Sequence, residues 1–313
     1  MRRLRLGTRG SALALWQARS VASSLEQRGA SVDIVRITTH GDRRQDVPLP
    51  DIGGKRVFVK EIEEALLSGE IDVAVHSAKD MSSESVHGLA LAAALTREDA
   101  RDALVLGRDC PIRGGGDDFL LSLATGRGAS LSIGTGSIRR TALLQRAFPT
   151  VTFVPVRGNV DTRLRKLDAG EMDAVVLAAA GLNRLGLGAR ISALIPVDAC
   201  VPAPGQGIIG VQIRSEDDDA RQQVSALNDE VASIALEAEQ AVVAALGGGC
   251  QLPLGAYAAM IEGTLVLQAV VASPEGDEIL WTRVSGNPVD AAAIGRRAAD
   301  DLSAQGARGI LQR

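Results

Sequence analysis

Aromatic residues are scarce in this sequence: four Phe, two Trp and one Tyr among 313 residues. With so few rings, and with 38 acidic against 34 basic residues for a net charge of -4, the chain lacks the stacking surface and the cationic surplus of a general nucleic-acid binder. Cysteine is scarce as well. Cys110, Cys200 and Cys250 are odd in number and far apart, which excludes a disulfide framework and leaves no clustered spacing for a zinc site. His40, His76 and His87 show no metal spacing either, so no metal is expected. No run approaches the roughly 18 apolar residues of a membrane span. The start, MRRLRLGTRG, has neither the apolar core nor the small-residue cleavage site of a secretory signal. The expectation is a cytoplasmic protein with no membrane and no nucleic-acid partner. Lysine is rare too: of the 34 basic residues only Lys55, Lys60, Lys79 and Lys166 are lysines. Arginine grips carboxylate or phosphate with two parallel hydrogen bonds. A GC-rich genome also inflates arginine, so position must decide what the count means.

What is abundant is apolar residue, 46% of the chain, and the length implies two or three domains. The chain is organised around IDVAVHSAKD at 71–80, an apolar run broken only by Asp72 that leads straight into His76, Ser77, Lys79 and Asp80. A strand covered on both faces reads this way, and ligands of open α/β sheets bind beyond the carboxyl ends of strands. The same residues also fit a solvated turn whose charges pair with each other.

In chain order, a strand at 3–7 and a turn at Gly7 to Ser11 lead into a helix that ends at Gly29, the arrangement of an anion site. A second strand, VDIVRIT, precedes the long polar stretch 39–57, of a length usual in lids or disordered segments. A helix at 58–68 follows, with Phe58, Ile62, Ala65 and Leu66 on one face. A new unit begins near 101 with strand DALVLG, continues through RGGGDD at 113–118, read as disordered, and reaches strand LSIGTG at 131–136. Two internal echoes appear. LRLGTRGSALALWQA at 4–18 resembles LSIGTGSIRRTALLQRA at 131–147, and LLSGEIDVAVHSAKD at 66–80 resembles KLDAGEMDAVVLAAAGL at 166–182. They suggest two lobes of related topology, although short α/β segments also match by chance. CVPAPGQG at 200–207 reads as an interdomain crossing, and IIGVQIR after it is expected to return to the first sheet. From about 227 the chain reads as a long Ala-rich helix, the loop GGGCQLPLG, strands near 256–271 and 279–284, and a last helix near 289–304. The expected domains are 1–98 with 208–225, then 101–201, then 227–313.

Several stretches carry chemistry. GTGSIRR at 134–140 is neither a dinucleotide fingerprint nor a P-loop. It is a helix start whose free backbone N–H groups, Ser137 hydroxyl, Arg139 and Arg140 favour an anion; a capped surface helix would read the same. VRGNVDTRLRKL repeats the theme with Arg157 and Arg163, Arg9 occupies the corresponding turn of the first lobe, and Arg184 follows strand 174–178. Arginine at four strand ends of an acidic chain suggests a ligand with several carboxylates or phosphates. Cys250 follows three glycines that leave it unshielded, unlike a core cysteine, while Cys110 and Cys200 sit beside proline and read as inert.

VAVHSAKD, GTGSIRR, RGNVDTRLRKLDAGEMDAVVLAAAGLNRLGL, PAPGQG and GGGCQLPLG, in that order, resemble the porphobilinogen deaminase (hydroxymethylbilane synthase) family from about residue 4 to the end. The resemblance implies an α/β fold: two type II periplasmic-binding-protein-like domains flanking a cleft, plus a smaller C-terminal α+β domain. It implies a transferase that joins four porphobilinogen molecules head to tail with loss of ammonia, giving hydroxymethylbilane, and that acts as a monomer. It implies a dipyrromethane cofactor on a thioether to Cys250, held by Ser77, Lys79, Asp80, Ser137, Arg139 and Arg140. Arg9, Ser11, Phe58, Arg157, Arg163 and Arg184 match substrate positions, Lys55 lies in the family's mobile loop, and Asp80 matches the catalytic carboxylate. The chain departs from the family's usual wording in RGSALA, GGKRVFVKE and MSSESVHG, none of which removes a charged ligand or the thiol. A solute receptor, with two similar lobes around an arginine-lined cleft, is the other class these features fit; the missing signal sequence and the unshielded Cys250 count against it.

Overall fold

The computed structural model describes residues 2–43, 57–83, 86–111, 114–126, 131–247 and 252–311. In chain order, the first lobe holds β1 (Leu4–Thr8), α1 (Ala12–Glu26), β2 (Val32–Arg36), the short α2 (His40–Arg43), α3 (Lys60–Leu67), β3 (Val73–Ser77) and β4 (Leu89–Ala94). The second holds β5 (Asp102–Leu106), α4 (Gly116–Ala124), β6 (Ser132–Thr135), α5 (Ile138–Ala147), β7 (Thr152–Pro155), α6 (Val160–Asp168), β8 (Ala174–Ala178), α7 (Ala179–Arg184) and β9 (Ala193–Ile195). The chain then returns to the first lobe with β10 (Ile209–Arg214) and α8 (Asp218–Val224). It finishes with α9 (Glu230–Ala245), the antiparallel meander β11 (Leu254–Ile261), β12 (Thr264–Ala272) and β13 (Ile279–Gly286), then α10 (Ala291–Ala304) and α11 (Ala307–Leu311).

The two large sheets run in the orders β2-β1-β3-β10-β4 and β7-β6-β8-β5-β9. Position by position they match: the first three strands of each are mutually parallel, and the fourth is antiparallel to both of its neighbours. In the first sheet that fourth strand is the segment returning from the second lobe, and in the second sheet it is the segment arriving from the first. Both internal echoes fall on equivalent elements, β1–α1 with β6–α5 and β3 with β8. The likeness is therefore topological.

Local chemistry explains why these segments adopt these forms. In β3, Val73 and Val75 pack with Ala18, Val21 and Leu25 of α1, while Ala74 packs with Ile62 and Leu66 of α3. A strand covered on both faces must be apolar throughout. Helix α1 starts where the Ser11 hydroxyl accepts the Ala14 N–H at 3.3 Å, and α5 where Ser137 accepts the Arg140 N–H at 3.4 Å. RGGGDD does not behave as one disordered piece. Helix α4 begins at Gly116, sets Asp117 and Asp118 in its first turn, where the helix dipole favours acids, and buries Phe119, Leu120 and Leu123 in the second lobe's core. The run 256–271 resolves into two strands joined at Glu262 and Gly263, both with positive φ, as a tight hairpin requires.

The third unit docks on both lobes. Val270, Ala272 and Trp281 join the core of the second, and Ala232 and Leu236 of α9 pack against Ala78, Ala94 and Ile208 of the first.

Candidate functional site

A cleft with a free volume of about 400 Å³ lies between the lobes, closed at its back by Gln240, Val243, Leu252 and Leu254 of the third unit. Every candidate residue within the described part of the chain lines it. Arg9 and Ser11 come from the turn after β1; Ser77, Lys79 and Asp80 from the end of β3 and the single 3-10 turn Ala78–Asp80; and Phe58 from the segment before α3. The second lobe brings Ser137, Arg139 and Arg140 at the start of α5, Arg157 and Arg163 around the start of α6, and Arg184 at the end of α7. Lys55 and Cys250 lie outside the described residues.

The charges in the cleft are unequal. Two carboxylates, Asp80 and Asp161, stand among Arg9, Lys79, Arg139, Arg140, Arg157, Arg163 and Arg184. The Arg9 guanidinium stacks 4.2 Å above the Phe58 ring, Arg163 donates to the Gly158 carbonyl at 2.8 Å, and Arg184 donates to the Gly207 carbonyl at 2.6 Å. Ser77 bonds the Gln17 amide, whose Nε2 lies 2.9 Å from its Oγ. Burial, and then the neighbouring Arg140, lower the Lys79 ammonium to about 8. Burial with Arg140 and Arg157 lowers Arg163 to about 10. Burial, helped by the nearby Arg9 and opposed by Gln212, pushes His76 down to about 4, so its imidazole is neutral.

Such mutual depression of cations is the mark of a site short of anions. The Nε of Arg140, a residue only 5% exposed, has no hydrogen-bond partner. A buried charged donor left unmatched is costly unless an acceptor is supplied. The donor set thus fits a ligand with several carboxylates.

The sequence did not single out the group behind these arginines. Asp102 opens β5 fully buried, and its carboxylate accepts from Arg139 Nη2 at 2.8 Å, Arg140 Nη2 at 2.7 Å and Gln206 Nε2 at 2.8 Å. Arg139 spends its other fork nitrogen on the Val201 carbonyl and the Cys200 sulfur. Part of its donor capacity therefore belongs to the protein itself. Gln206, read in the sequence only as part of a crossing, accepts from Lys79 Nζ at 3.5 Å. An acid opening an apolar strand was the one available signal for Asp102. Cys200 and Cys110 are buried, and burial pushes the Cys200 thiol up to about 12, far from a reactive thiolate. Among the described residues no cluster could hold a metal ion and no helix is long and apolar enough to cross a membrane.

Fold and cleft together define a two-lobed α/β protein of the type II periplasmic-binding-protein kind, with a cation-rich cleft between its lobes and a C-terminal α+β domain. Residues 4–222 match the family model "Porphobilinogen deaminase, dipyromethane cofactor binding domain", and 233–304 match that family's C-terminal domain. The chain belongs to the porphobilinogen deaminase family. It is 45% identical to the porphobilinogen deaminase of Thiobacillus denitrificans, over 99% of this chain and 98% of that one. It is 47% identical to the enzyme of Geobacillus kaustophilus, over 100% and 98%. A solved periplasmic binding protein of Salmonella typhimurium aligns at a TM-score of 0.40 and 13% identity, over 74% of this chain and 94% of its own. The strand order, rather than that likeness, defines the fold class.

Proposed function

We propose that the interlobe cleft is where this chain carries out the family's reaction, with Asp80 as the catalytic carboxylate. The protein is a transferase of tetrapyrrole biosynthesis. It joins four porphobilinogen molecules head to tail, releases ammonia at each addition, and yields hydroxymethylbilane. When bound, the dipyrromethane supplies the pyrrole α-carbon to which the first substrate is joined. Ser77, Lys79, Asp80, Ser137, Arg139 and Arg140 hold the cofactor; Cys250 is its attachment point. Arg9, Ser11, Arg157, Arg163 and Arg184, with Lys55, take the carboxylates of the incoming substrate and the growing chain, and Phe58 backs Arg9 among these substrate positions. In domain terms, 1–98 with 208–225 and 101–201 form the walls, and 227–313 carries the cofactor. The chain acts as a cytoplasmic monomer with no nucleic-acid partner, which size-exclusion chromatography with light scattering would check.

The observation that carries this reading is the position of Asp80 on the turn that ends β3, one of two carboxylates in a cleft otherwise dominated by cations. Loss of ammonia leaves positive charge shared between the substrate's methylene carbon and its pyrrole nitrogen. A fixed carboxylate stabilises that charge as it forms and can hold the proton that must move, whereas Lys79 has the wrong sign. Asp80→Ala should slow single-turnover addition by about 10² to 10⁴, with holoenzyme stability changing far less. A holoenzyme variant within about tenfold of wild type, a barrier change of roughly 1.4 kcal/mol, would place the essential carboxylate elsewhere.

A further inference from the structure

We propose that Asp102 is a positioning residue for this reaction: its buried carboxylate fixes Arg139, Arg140 and, through Gln206, Lys79 in the geometry in which they receive the carboxylates of the cofactor. The inference rests on the reading of the cleft given above. Asp102 does not line the cleft, but Arg139, Arg140, Lys79 and Gln206 all do. It therefore acts through them.

Each oxygen has two partners. Oδ1 accepts from Arg140 at 2.7 Å and from Gln206 at 2.8 Å; Oδ2 accepts from Arg139 at 2.8 Å and from the Cys200 thiol at 3.4 Å. The far end of the Gln206 amide accepts from Lys79. Two guanidinium groups side by side in a buried place repel, and without a common counter-ion each would turn toward other acceptors. One carboxylate between them both neutralises and orients, because a planar fork bonded at one edge leaves its remaining N–H groups in fixed directions. The unmatched Nε of Arg140 is such a donor. Burial pushes the Asp102 carboxyl up, yet Arg139 and Arg140 hold it far below the usual carboxylate range. Its charge is present at any assay pH. Asp102 also follows the first crossing between the lobes, while Gln206 lies in the second. The same carboxylate thus joins Lys79 on one wall to the arginines on the other.

The alternative is that Asp102 competes with the ligand for the arginines, in which case removing its charge would speed cofactor assembly. Wild type and Asp102→Asn would be made full-length in a host unable to produce porphobilinogen, mixed with porphobilinogen, and followed by intact mass for the gain of the pyrrole adduct. Folding would be checked by circular dichroism. Loss of charge-assisted bonds predicts adduct formation slower by roughly tenfold to a hundredfold. In the fraction that does load, KM for porphobilinogen should stay within about twofold, because Arg163 and Arg184 are held by the Gly158 and Gly207 carbonyls rather than by Asp102. A merely structural role would not split assembly from KM in this way. A folded Asp102→Asn chain that loads as fast as wild type, or faster, overturns the proposal. If that variant does not fold, Gln206→Met decides: it keeps every charge and cuts the link from Asp102 to Lys79, together with the Gln206 bond to the Ala100 carbonyl at 2.7 Å, so slowed loading by a chain that folds as wild type supports the proposal and wild-type loading overturns it. A wild-type chain that gains no adduct would instead overturn the assignment of the cleft itself.

Discussion

Two aspartates a few residues from the same cleft have opposite employment. Asp80 sits on a turn that lines the cleft, whereas Asp102 is sealed behind arginines that bond both of its oxygens. Environment, not residue type, separates a carboxylate that lines the cleft from one that holds other side chains. His76, one strand position before Ser77, makes the same point for a base. Its folded value near 4 lies below the ordinary 6.5 because burial and the nearby Arg9 disfavour its cation. Between those values the unfolded chain takes up a proton that the folded chain does not. This contribution to stability is therefore present above pH 6.5 and is lost as pH falls from 6.5 toward 4. Comparing unfolding free energies at pH 7 and pH 4.5, His76→Gln should lose about 2 kcal/mol less than wild type. Equal losses in the two proteins would show that His76 is not neutral in the fold.

At the scale of elements, the crossings between lobes position the site. Gly207 lies in the second crossing with φ of +88°, where a Cβ would stand 2.3 Å from the Glu98 carbonyl of the first. Its own carbonyl holds Arg184. Gly207→Ala should therefore cost about 2 kcal/mol or more in stability and should raise KM by displacing Arg184. A melting temperature and KM both unchanged would contradict this. The strand β3 and the turn after it were legible in the sequence because a doubly covered strand advertises itself as an apolar run that stops where the chemistry starts. The paired lobes were legible through their echoes. Helix α4 was not, because RGGGDD masks the apolar face that begins at Phe119. Asp102 was not either, since its partners lie 37, 38 and 104 residues away. No local pattern encodes a pairing that only the closed fold creates. Cys250 stood out through the three glycines before it, but its role as attachment point, like that of Lys55, came from motif resemblance.

For the whole molecule, a buried acid is one of the groups that tie the third domain to the crossings between the lobes. Glu239 of α9 accepts from both Arg97 nitrogens, at 2.6 and 3.2 Å, from the Gly205 N–H at 2.6 Å and from the Ala258 N–H at 2.8 Å. Arg97 in turn donates to the Gln206 carbonyl at 2.9 Å. Hydrogen bonds thus run from the domain that carries Cys250 to the backbone of Gln206, whose side-chain amide links Asp102 and Lys79. On the reading proposed above, a cofactor anchored on one domain and held by the other two would need these crossings kept in register. The most direct test of that arrangement is the intact mass of the chain purified from porphobilinogen-producing cells, measured for wild type and for Cys250→Ser. Wild type should be heavier than its sequence by two pyrrole units and Cys250→Ser should match its sequence, because Cys110 and Cys200 are too deeply buried to substitute. Active wild type at its bare sequence mass, or the adduct retained in Cys250→Ser, would contradict the account.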